Sequence, residues 1–401
     1  MTSSTTLRAR TTTDAVAAAP PSKDSSAEPL RPQSLIRGAA GIALLHIERA
    51  ASGPSTWECA HAWLTAAARE GAYAGAHASL FFGSPALNFA FLATGQPGNY
   101  TKALAALEVS TAAITRARLS KAHDRIDRGL CPAFAEFDLI YGLTGLGALH
   151  LRQDPHGELA RGVLAYLVRL TEPIGPDRLP GWWTELDPAG QESPRFPGGH
   201  GNFGMAHGIT GPLALMSTAI RRGVVVPGQA DAILRICQWL DHWRQDGPTG
   251  TWWPEWITRA ELRRQQANQA APARPSWCYG TPGLARAQQL AAIALGDPDR
   301  QAMAERSVIS CLADPLQQSK ISDGGLCHGT AGLFQTLWRM AGDAKTEEVA
   351  DTLAPVLARL LDEPTQQDPG FLEGSAGQAL ALHTAASQQV ATGWDASLLL
   401  D

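Results

Sequence analysis

Apolar and polar residues recur with helical spacing along most of the chain. After Gly142, apolar residues stand at Leu143, Leu146 and Leu149, and helical spacing also follows Gly280. Between such segments lie longer amphipathic stretches with an apolar stripe and charged borders, at 158–170, 230–243, 301–316 and 346–361. The pattern predicts an all-α protein with about fourteen helices in seven pairs.

A glycine element opens each of the apolar segments. Six of these segments open with Gly-x-x-Gly, whose first glycine stands at positions 38, 142, 208, 280, 329 and 374, and a degenerate seventh copy at Gly83 has Ala86 as its last residue. The first glycines lie 45 to 72 residues apart, which fits a helix pair with its loops. Tight helix packing alone would also explain each copy. Seven similar elements around a common centre favour an α/α toroid, a double ring of seven inner and seven outer helices, over an open solenoid.

Two long segments interrupt the helical pattern. Residues 171–206 and 245–276 are rich in Pro, Gly and Trp, and we predict irregular loop insertions there that wall or cover one mouth of the ring. Their tryptophans would either supply aromatic surface or belong to the core: Trp182, Trp183, Trp252, Trp253 and Trp256. Residues 1–32 are rich in Ser, Thr, Ala and Pro, so we predict a disordered N-terminal tail before a toroid domain at 33–401.

Composition and charge exclude several classes of protein. The chain has 401 residues, 44% of them hydrophobic and 18% charged, as in a globular protein with a large core. Its 33 basic and 38 acidic residues give a formal net charge of -5, so we expect no nucleic-acid partner. We find neither a secretory signal nor an apolar run of the roughly 20 residues that a membrane span needs, and therefore expect a cytoplasmic protein. Six cysteines are too few for a disulfide framework, which leaves thiol or metal chemistry.

Two neighbouring copies of the repeat carry a candidate metal site. Cys278 lies two residues before the fifth glycine element, and Cys327 and His328 lie directly before the sixth. Equivalent positions of repeats in a ring converge on one end of its axis. Two sulfurs and one imidazole nitrogen would then form a ligand set typical of zinc, with a fourth position open as in catalytic sites. A buried inert thiol is the competing interpretation, whereas a haem-attachment motif is excluded because Gly324 replaces its first cysteine.

Three further polar residues are candidates for the same end of the ring. Asp138 precedes the third glycine element, His207 directly precedes the fourth, and Arg274 lies four residues before Cys278. The carboxylate and the imidazole could act as general base, general acid or orienting partner, and the guanidinium could stabilise negative charge. Each alone is typical of a capping or surface residue. Together, near one zinc ion, they predict an active site.

Over about residues 33–395, the ordered motifs resemble the lanthionine synthetase C family. These motifs are Asp138-x-x-x-Gly142, Gly204–Pro212, Arg274–Gly280, Cys327–Gly329 and Glu373–Gly377. The resemblance implies an α/α toroid with a bound Zn²⁺ ion, whose ligands would be Cys278, Cys327 and His328. The implied catalytic candidates are His207, Asp138 and Arg274, to which we add Tyr279 and Trp277 of the same motif.

The resemblance also implies a reaction. Such a protein would be a zinc-dependent lanthipeptide cyclase, which adds cysteine thiolates of a dehydrated precursor peptide, leader plus core, to dehydroalanine or dehydrobutyrine and forms thioether rings. A dehydratase and an exporter would be its partners and the only route to peripheral membrane association. We expect a stand-alone cyclase, because no kinase, lyase or dehydratase region lies upstream. Two alternatives stay open: a glutathione- or thiol-binding protein of the same fold, and a zinc toroid resembling the prenyltransferase β-subunit, whose ligands include a carboxylate.

Overall fold

Helices make up most of residues 3–18, 31–53, 55–187 and 189–401, the ranges that the computed structural model describes. The helices are α1 (Ser3–Ala17), α2 (Ala39–Ala51), α3 (Trp57–Ala68), α4 (Ser84–Ala93), α5 (Pro97–Asp127), α6 (Phe134–Phe137), α7 (Leu143–Gln153), α8 (Glu158–Leu170), α9 (Thr210–Arg221), α10 (Gln229–His242), α11 (Arg259–Arg264), α12 (Thr281–Leu295), α13 (Pro298–Ala313), α14 (Pro315–Gln318), α15 (Thr330–Asp343), α16 (Glu348–Asp351), α17 (Leu353–Asp362) and α18 (Ser375–Ser387). Two 3-10 helices, η1 (Arg31–Gln33) and η2 (Trp394–Leu398), accompany four short strands, β1 (His200–Asn202), β2 (Gln245–Gly247), β3 (Gly250–Trp252) and β4 (Trp256–Thr258).

Seven helices begin within two residues after a repeat glycine and form the inner ring. In chain order they are α2, α4, α7, α9, α12, α15 and α18, and each contacts the next. The ring closes because α18 also contacts α2. These helices carry little polar surface; residues 376–385 of α18, for example, are all buried, since neighbouring helices cover every side.

The outer ring consists of one helix packed against each inner helix. The pairs are α2 with α3, α4 with α5, α7 with α8, α9 with α10, α12 with α13, α15 with α17, and α18 with α1. Outer helices bury a single stripe: α17 buries Val356, Leu357 and Leu360 at the spacing of one helix face. The predicted all-α toroid with seven inner and seven outer helices is confirmed.

The seventh outer helix, α1, lies where the sequence predicts disorder. The prediction of a disordered tail over 1–32 is wrong for Ser3–Ala17, and its residues 19–30 lie outside the described residues. The buried side chains of α1 are small: Ala9 is 0% exposed and Thr13 is 1% exposed. The Thr13 hydroxyl donates to the carbonyl of Ala379 in α18 at 3.3 Å. A contact face of alanine and threonine carries too little hydrophobicity for sequence patterning to detect.

The two insertions contain short strands that join them to each other. Strand β1, from the first insertion, pairs antiparallel with β4 of the second, and β2 pairs with β3 in a hairpin. Four of the five tryptophans in the insertions are buried core residues rather than exposed aromatic surface: Trp182, Trp183, Trp252 and Trp253. Trp256 is partly exposed, and the Arg195 guanidinium carbon lies 4.2 Å from its ring centroid.

The described residues contain neither a membrane-spanning helix nor a disulfide bond. Among the described residues, no helix combines the length and the apolar character that crossing a bilayer requires. All six cysteines are free thiols, and three of them are buried: Cys237, Cys278 and Cys311.

Candidate metal centre and its surroundings

The segment before each inner helix, which we call the repeat turn, runs from four residues before the first repeat glycine to that glycine. Its second residue is apolar and at most 1% exposed in every copy: Leu35, Leu80, Leu139, Met205, Trp277, Leu326 and Phe371. This residue anchors the turn in the core. The two residues that follow it, directly before the glycine, occupy the positions at which the sequence places the candidate metal ligands.

Backbone hydrogen bonds connect consecutive repeat turns. The amide of Ala206 donates to the carbonyl of Cys278 at 3.4 Å, and the amide of Cys278 donates to the carbonyl of Cys327 at 3.2 Å. The amide of Cys327 donates to Leu372 at 2.8 Å, and that of Leu372 to Ile36 at 3.0 Å. All five residues stand two positions before their glycine. The ring therefore fixes the turns side by side, and residues far apart in sequence become neighbours.

The second glycine of the element lets the inner helix pass close to its own repeat turn. A Cβ atom on Gly332 would lie 1.8 Å from the carbonyl oxygen of Leu326, and one on Gly283 would lie 2.0 Å from that of Trp277. No side chain fits these positions unless the backbone shifts. The glycines thus hold in place the turns that carry Cys278 and Cys327.

The three predicted metal ligands meet in space. Sγ of Cys278, Sγ of Cys327 and one ring nitrogen of His328 lie within 4.8 Å of one another. Cys278 is 7% exposed, and the side chain of His328 is 28% exposed, so the cluster is partly open to solvent. Two sulfurs and an imidazole nitrogen at this separation fit a zinc ion, which prefers such soft and borderline ligands.

Hydrogen bonding within the cluster distinguishes the thiol of Cys278 from the buried cysteines outside the cluster. The hydrogen bond with Cys327 lowers the pKa of Cys278, and that bond in turn raises the pKa of Cys327. The pKa of His328 is raised, chiefly by its hydrogen bond with Cys278. Burial instead raises the pKa of Cys237 to about 11 and that of Cys311 to about 12. The inert-thiol interpretation therefore describes Cys237 and Cys311, whereas Cys278 has the environment of a reactive or metal-binding thiol.

Asp138 and His207 form a buried pair at the neighbouring turns. Oδ2 of Asp138, which is 0% exposed, lies 2.6 Å from Nδ1 of His207. The other carboxylate oxygen accepts hydrogen bonds from the amides of Tyr141 at 2.6 Å and Gly142 at 2.8 Å. Burial raises the pKa of Asp138. Because the carboxylate faces Nδ1, that nitrogen donates the hydrogen bond, and in the neutral ring Nε2 is left as a base.

A cavity of about 240 Å³ lies beside Cys278. It is lined by Glu255, Arg274, Ser276, Cys278, Tyr279 and Lys320. Two predicted site residues, Arg274 and Tyr279, thus stand next to a candidate metal ligand. Burial raises the pKa of Tyr279, which keeps its hydroxyl protonated, and also raises the pKa of Glu255. Because Glu255 lies in the second insertion, that insertion contributes a wall of the cavity.

Trp277 is not brought to this cavity. It holds the buried second position of its repeat turn, and its indole nitrogen donates to the carbonyl of Leu398 at 2.9 Å. Its side chain therefore anchors the turn against the C-terminal segment, although the shared motif placed it among the catalytic candidates.

Several polar residues around the centre are not among those predicted from the sequence. Glu255 and Lys320 line the cavity, Asn202 donates to the hydroxyl of Tyr279 at 3.0 Å, and an Asp323 oxygen lies 3.3 Å from Nε2 of His328. Asn202 and Asp323 each lie six residues before a first repeat glycine, so a comparison of the copies could have identified them. Glu255 and Lys320 reach the cavity only through the packing of distant segments.

A larger cavity, of about 590 Å³, lies elsewhere between the first insertion, α10 and α11. Its lining includes the side chains of Arg178, Arg235, Arg259, Arg263, Trp182 and Trp239. No predicted ligand or catalytic residue lines it, so cavity size does not identify the site.

Comparison with known proteins agrees with the fold and with the motifs. The family model of lanthionine synthetase C-like proteins matches residues 29–399. The nisin biosynthesis protein NisC of Lactococcus lactis subsp. lactis is 24% identical over 272 residues, which cover 66% of this chain and 64% of that protein. The match therefore spans less than two thirds of that relative's length.

A solved structure has the same architecture. Nisin cyclase superposes with a TM-score of 0.82 at 20% identity, covering 98% of this chain and 97% of that one. The likeness to that structure establishes the fold, and the family model extends over nearly the whole sequence. The chain therefore belongs to the lanthionine synthetase C-like family.

Proposed function

We propose that the protein is a zinc-dependent lanthipeptide cyclase, which adds cysteine thiols of a dehydrated peptide to dehydroalanine or dehydrobutyrine. The observation that carries the proposal is the cluster of Cys278, Cys327 and His328, next to the hydrogen-bonded turns that hold the Asp138–His207 pair. Family membership and the names of its relatives, a nisin biosynthesis protein and a nisin cyclase, support it.

The proposed metal site uses the three clustered residues. A zinc ion held by Cys278, Cys327 and His328 would lower the pKa of a substrate thiol so that it reacts as a thiolate at neutral pH. Two sulfur ligands keep the metal electron-rich, which favours activation of a thiol over activation of water. Structural zinc sites use four protein ligands, whereas this cluster offers three.

The surrounding residues supply the acid–base chemistry. His207 accepts the proton of the incoming thiol at Nε2, because its Nδ1 is committed to Asp138. The sulfur electron pair forms the bond to the β-carbon, the π electrons of the carbon–carbon double bond shift into the bond between the α-carbon and the carbonyl carbon, and the carbonyl π electrons move onto the oxygen. Arg274, at the cavity wall, stabilises this negative charge. A proton then returns to the α-carbon, so the ring and the open peptide have the same atoms.

Partners and location follow from the same proposal. The substrate is a dehydrated precursor peptide with leader and core, which a dehydratase supplies and an exporter removes. These steps place the protein in the cytoplasm.

The test is a cyclisation assay on a set of dehydrated precursor peptides. Ring closure leaves the peptide mass unchanged and removes its alkylatable thiols, and mass spectrometry after thiol alkylation detects both. We expect the zinc-loaded protein to consume thiols, and C278A, C327A and H328A to lose zinc and activity together. The matched control C59A replaces an exposed cysteine and should retain both.

The assay also separates the alternative function. A zinc protein that binds glutathione but leaves every peptide thiol alkylatable would be a thiol-binding protein of the same fold. Full zinc retention in C278A, C327A and H328A would overturn the ligand assignment.

A further inference from the structure

Asn202 connects two repeat turns through its side chain. It ends strand β1, is 1% exposed, and lies six residues before the first glycine of the fourth element. Its Oδ1 accepts a hydrogen bond from the amide of Gly204 at 2.8 Å. Its Nδ2 donates to the hydroxyl oxygen of Tyr279, in the next turn of the ring, at 3.0 Å.

The direction of both hydrogen bonds is fixed by chemistry. A backbone amide can only donate, so the atom of Asn202 that faces Gly204 must be the oxygen, and the atom that faces Tyr279 must be the NH₂ group. The phenol oxygen of Tyr279 therefore accepts, and its own O–H is left to donate in another direction. No acceptor for this O–H is found among the residues that the structure describes.

Tyr279 lies at the candidate site itself. Tyr279 lines the cavity beside Cys278, together with Arg274. Asp138 likewise binds a backbone amide of its own turn with one side-chain atom and a side chain of the next turn with the other. The direction of the second hydrogen bond is reversed, because the free atom of Asp138 is an acceptor, whereas that of Asn202 is a donor. His207 must therefore donate, whereas Tyr279 must accept.

We propose that Asn202 is a positioning residue that fixes the Tyr279 hydroxyl as a hydrogen-bond donor to the substrate carbonyl at the cavity beside Cys278. The carbonyl is that of the residue whose β-carbon receives the sulfur, and the donor stabilises the charge that develops on its oxygen. The role in turnover rests on the proposed function, but the direction of the Asn202–Tyr279 hydrogen bond does not.

Asn202→Asp is the discriminating variant. An aspartate retains an oxygen for the amide of Gly204 but presents a second oxygen to Tyr279, so the tyrosine O–H turns to donate to it. Asp138 shows that this fold accommodates a buried carboxylate in such a turn. The matched control is Asp368→Asn at the equivalent position of the seventh element, where Oδ1 accepts from the amide of Gly370 at 2.7 Å.

The first readout does not depend on activity. The chain has five tyrosines, so protein labelled with ¹³C at the tyrosine ζ-carbon gives five signals, of which Y279F identifies one. We expect N202D to shift the Tyr279 signal and leave the other four in place, which also reports an intact fold. D368N should shift none of the five. An unchanged Tyr279 signal in N202D would overturn the proposal.

The second readout is kinetic. Loss of one such donor lowers kcat by about 10²–10³-fold, and we expect this loss in N202D with KM much less affected. In the Y279F background, N202D should cause no further loss, because both changes remove the same donor. A full additional loss would show that Asn202 acts independently of Tyr279 and would overturn the proposal. If the wild-type protein closes no ring, the proposed function fails, while the NMR result still decides the positioning of Tyr279.

Discussion

Oδ2 of Asp138 lies 2.6 Å from Nδ1 of His207, while Oδ1 of the same carboxylate caps the turn that carries it. One buried side chain thus shapes its own repeat turn and orients the imidazole of the next. The orientation of His207 is built into the backbone of the ring, because Oδ1 is occupied by backbone amides that can only donate.

This relationship predicts the effect of Asp138→Asn. The amide oxygen would stay with the backbone donors, so the NH₂ group would face His207 and force Nδ1 to accept. The ring proton would then lie on Nε2 and remove the base, and we expect kcat for cyclisation to fall by about 10²–10⁴-fold. Zinc content should not change. Asp297→Asn, at the N-cap of α13, is the control and should retain full activity; a D138N rate close to wild type would remove the pair from the chemistry.

Alanine substitutions at two glycines of α15 should differ strongly in their effect on stability. A Cβ on Gly332 would lie 1.8 Å from the Leu326 carbonyl oxygen, next to Cys327, whereas a Cβ on Gly342 would meet nothing within 4 Å. We expect Gly332→Ala to cost about 3 kcal/mol or more in the free energy of unfolding and to weaken zinc retention. Gly342→Ala should be neutral or stabilise by up to about 1 kcal/mol. Urea unfolding and metal analysis measure both, and equal stability of the two variants would contradict the close packing of helix and turn.

Buried histidines should make the protein sensitive to acid. Burial lowers the pKa of four of them from 6.5 to about 4: His46, His150, His200 and His383. The unfolded chain takes up these protons first, so stability is complete above pH 6.5 and is lost as the pH falls toward 4. Each histidine contributes at most about 1.4 kcal/mol per pH unit in that window.

His150→Gln tests this pH dependence at one site. His150 is 6% exposed, and its Nε2 lies 2.9 Å from the hydroxyl of Thr115, a contact that glutamine can replace without a titrating group. Urea unfolding of the metal-free protein between pH 7 and 4.5 should show a shallower loss of stability in H150Q. Parallel curves for the two proteins would mean that His150 is not buried in its neutral form.

Two substitutions in α1 test how this helix packs, and hydropathy alone would predict the larger effect at the wrong residue. Leu7 is 64% exposed, whereas Ala9 is 0% exposed. We expect Ala9→Arg to destabilise the protein by about 2–4 kcal/mol because the side chain cannot fit against α18. Leu7→Arg should change stability by less than about 0.5 kcal/mol. Thermal unfolding compares them, and a mild A9R variant would show that α1 does not pack as described.

Much of this fold and site could be predicted from the sequence, because contacts within a single repeat require particular residues at fixed positions. In six of the seven elements a second glycine allows a close contact between a helix and its own turn, as at Gly332, so the repeat is visible in the sequence. Because every copy places the same positions at the same end of the ring, the meeting of Cys278, Cys327 and His328 could be predicted from spacing alone.

Features that depend on small residues or on distant segments could not be predicted. Ala9 and Thr13 give α1 no hydropathy signal, although both are buried. Trp277 shares a motif with Cys278, but its position in the turn places it in the core. Glu255 reaches the cavity because the second insertion folds back over it, which no local pattern records.

The pairing of α1 with α18 has a practical consequence for handling the protein. Residues 1–32 have the composition of a disordered tail, so an expression plasmid designed from the sequence alone would start near residue 33. Such a truncation would leave six outer helices in an open arc and expose the alanine-rich side of α18 around Ala379 to water. Poor solubility of that shortened protein would then result from the loss of one outer helix, and restoring residues 1–32 should recover solubility.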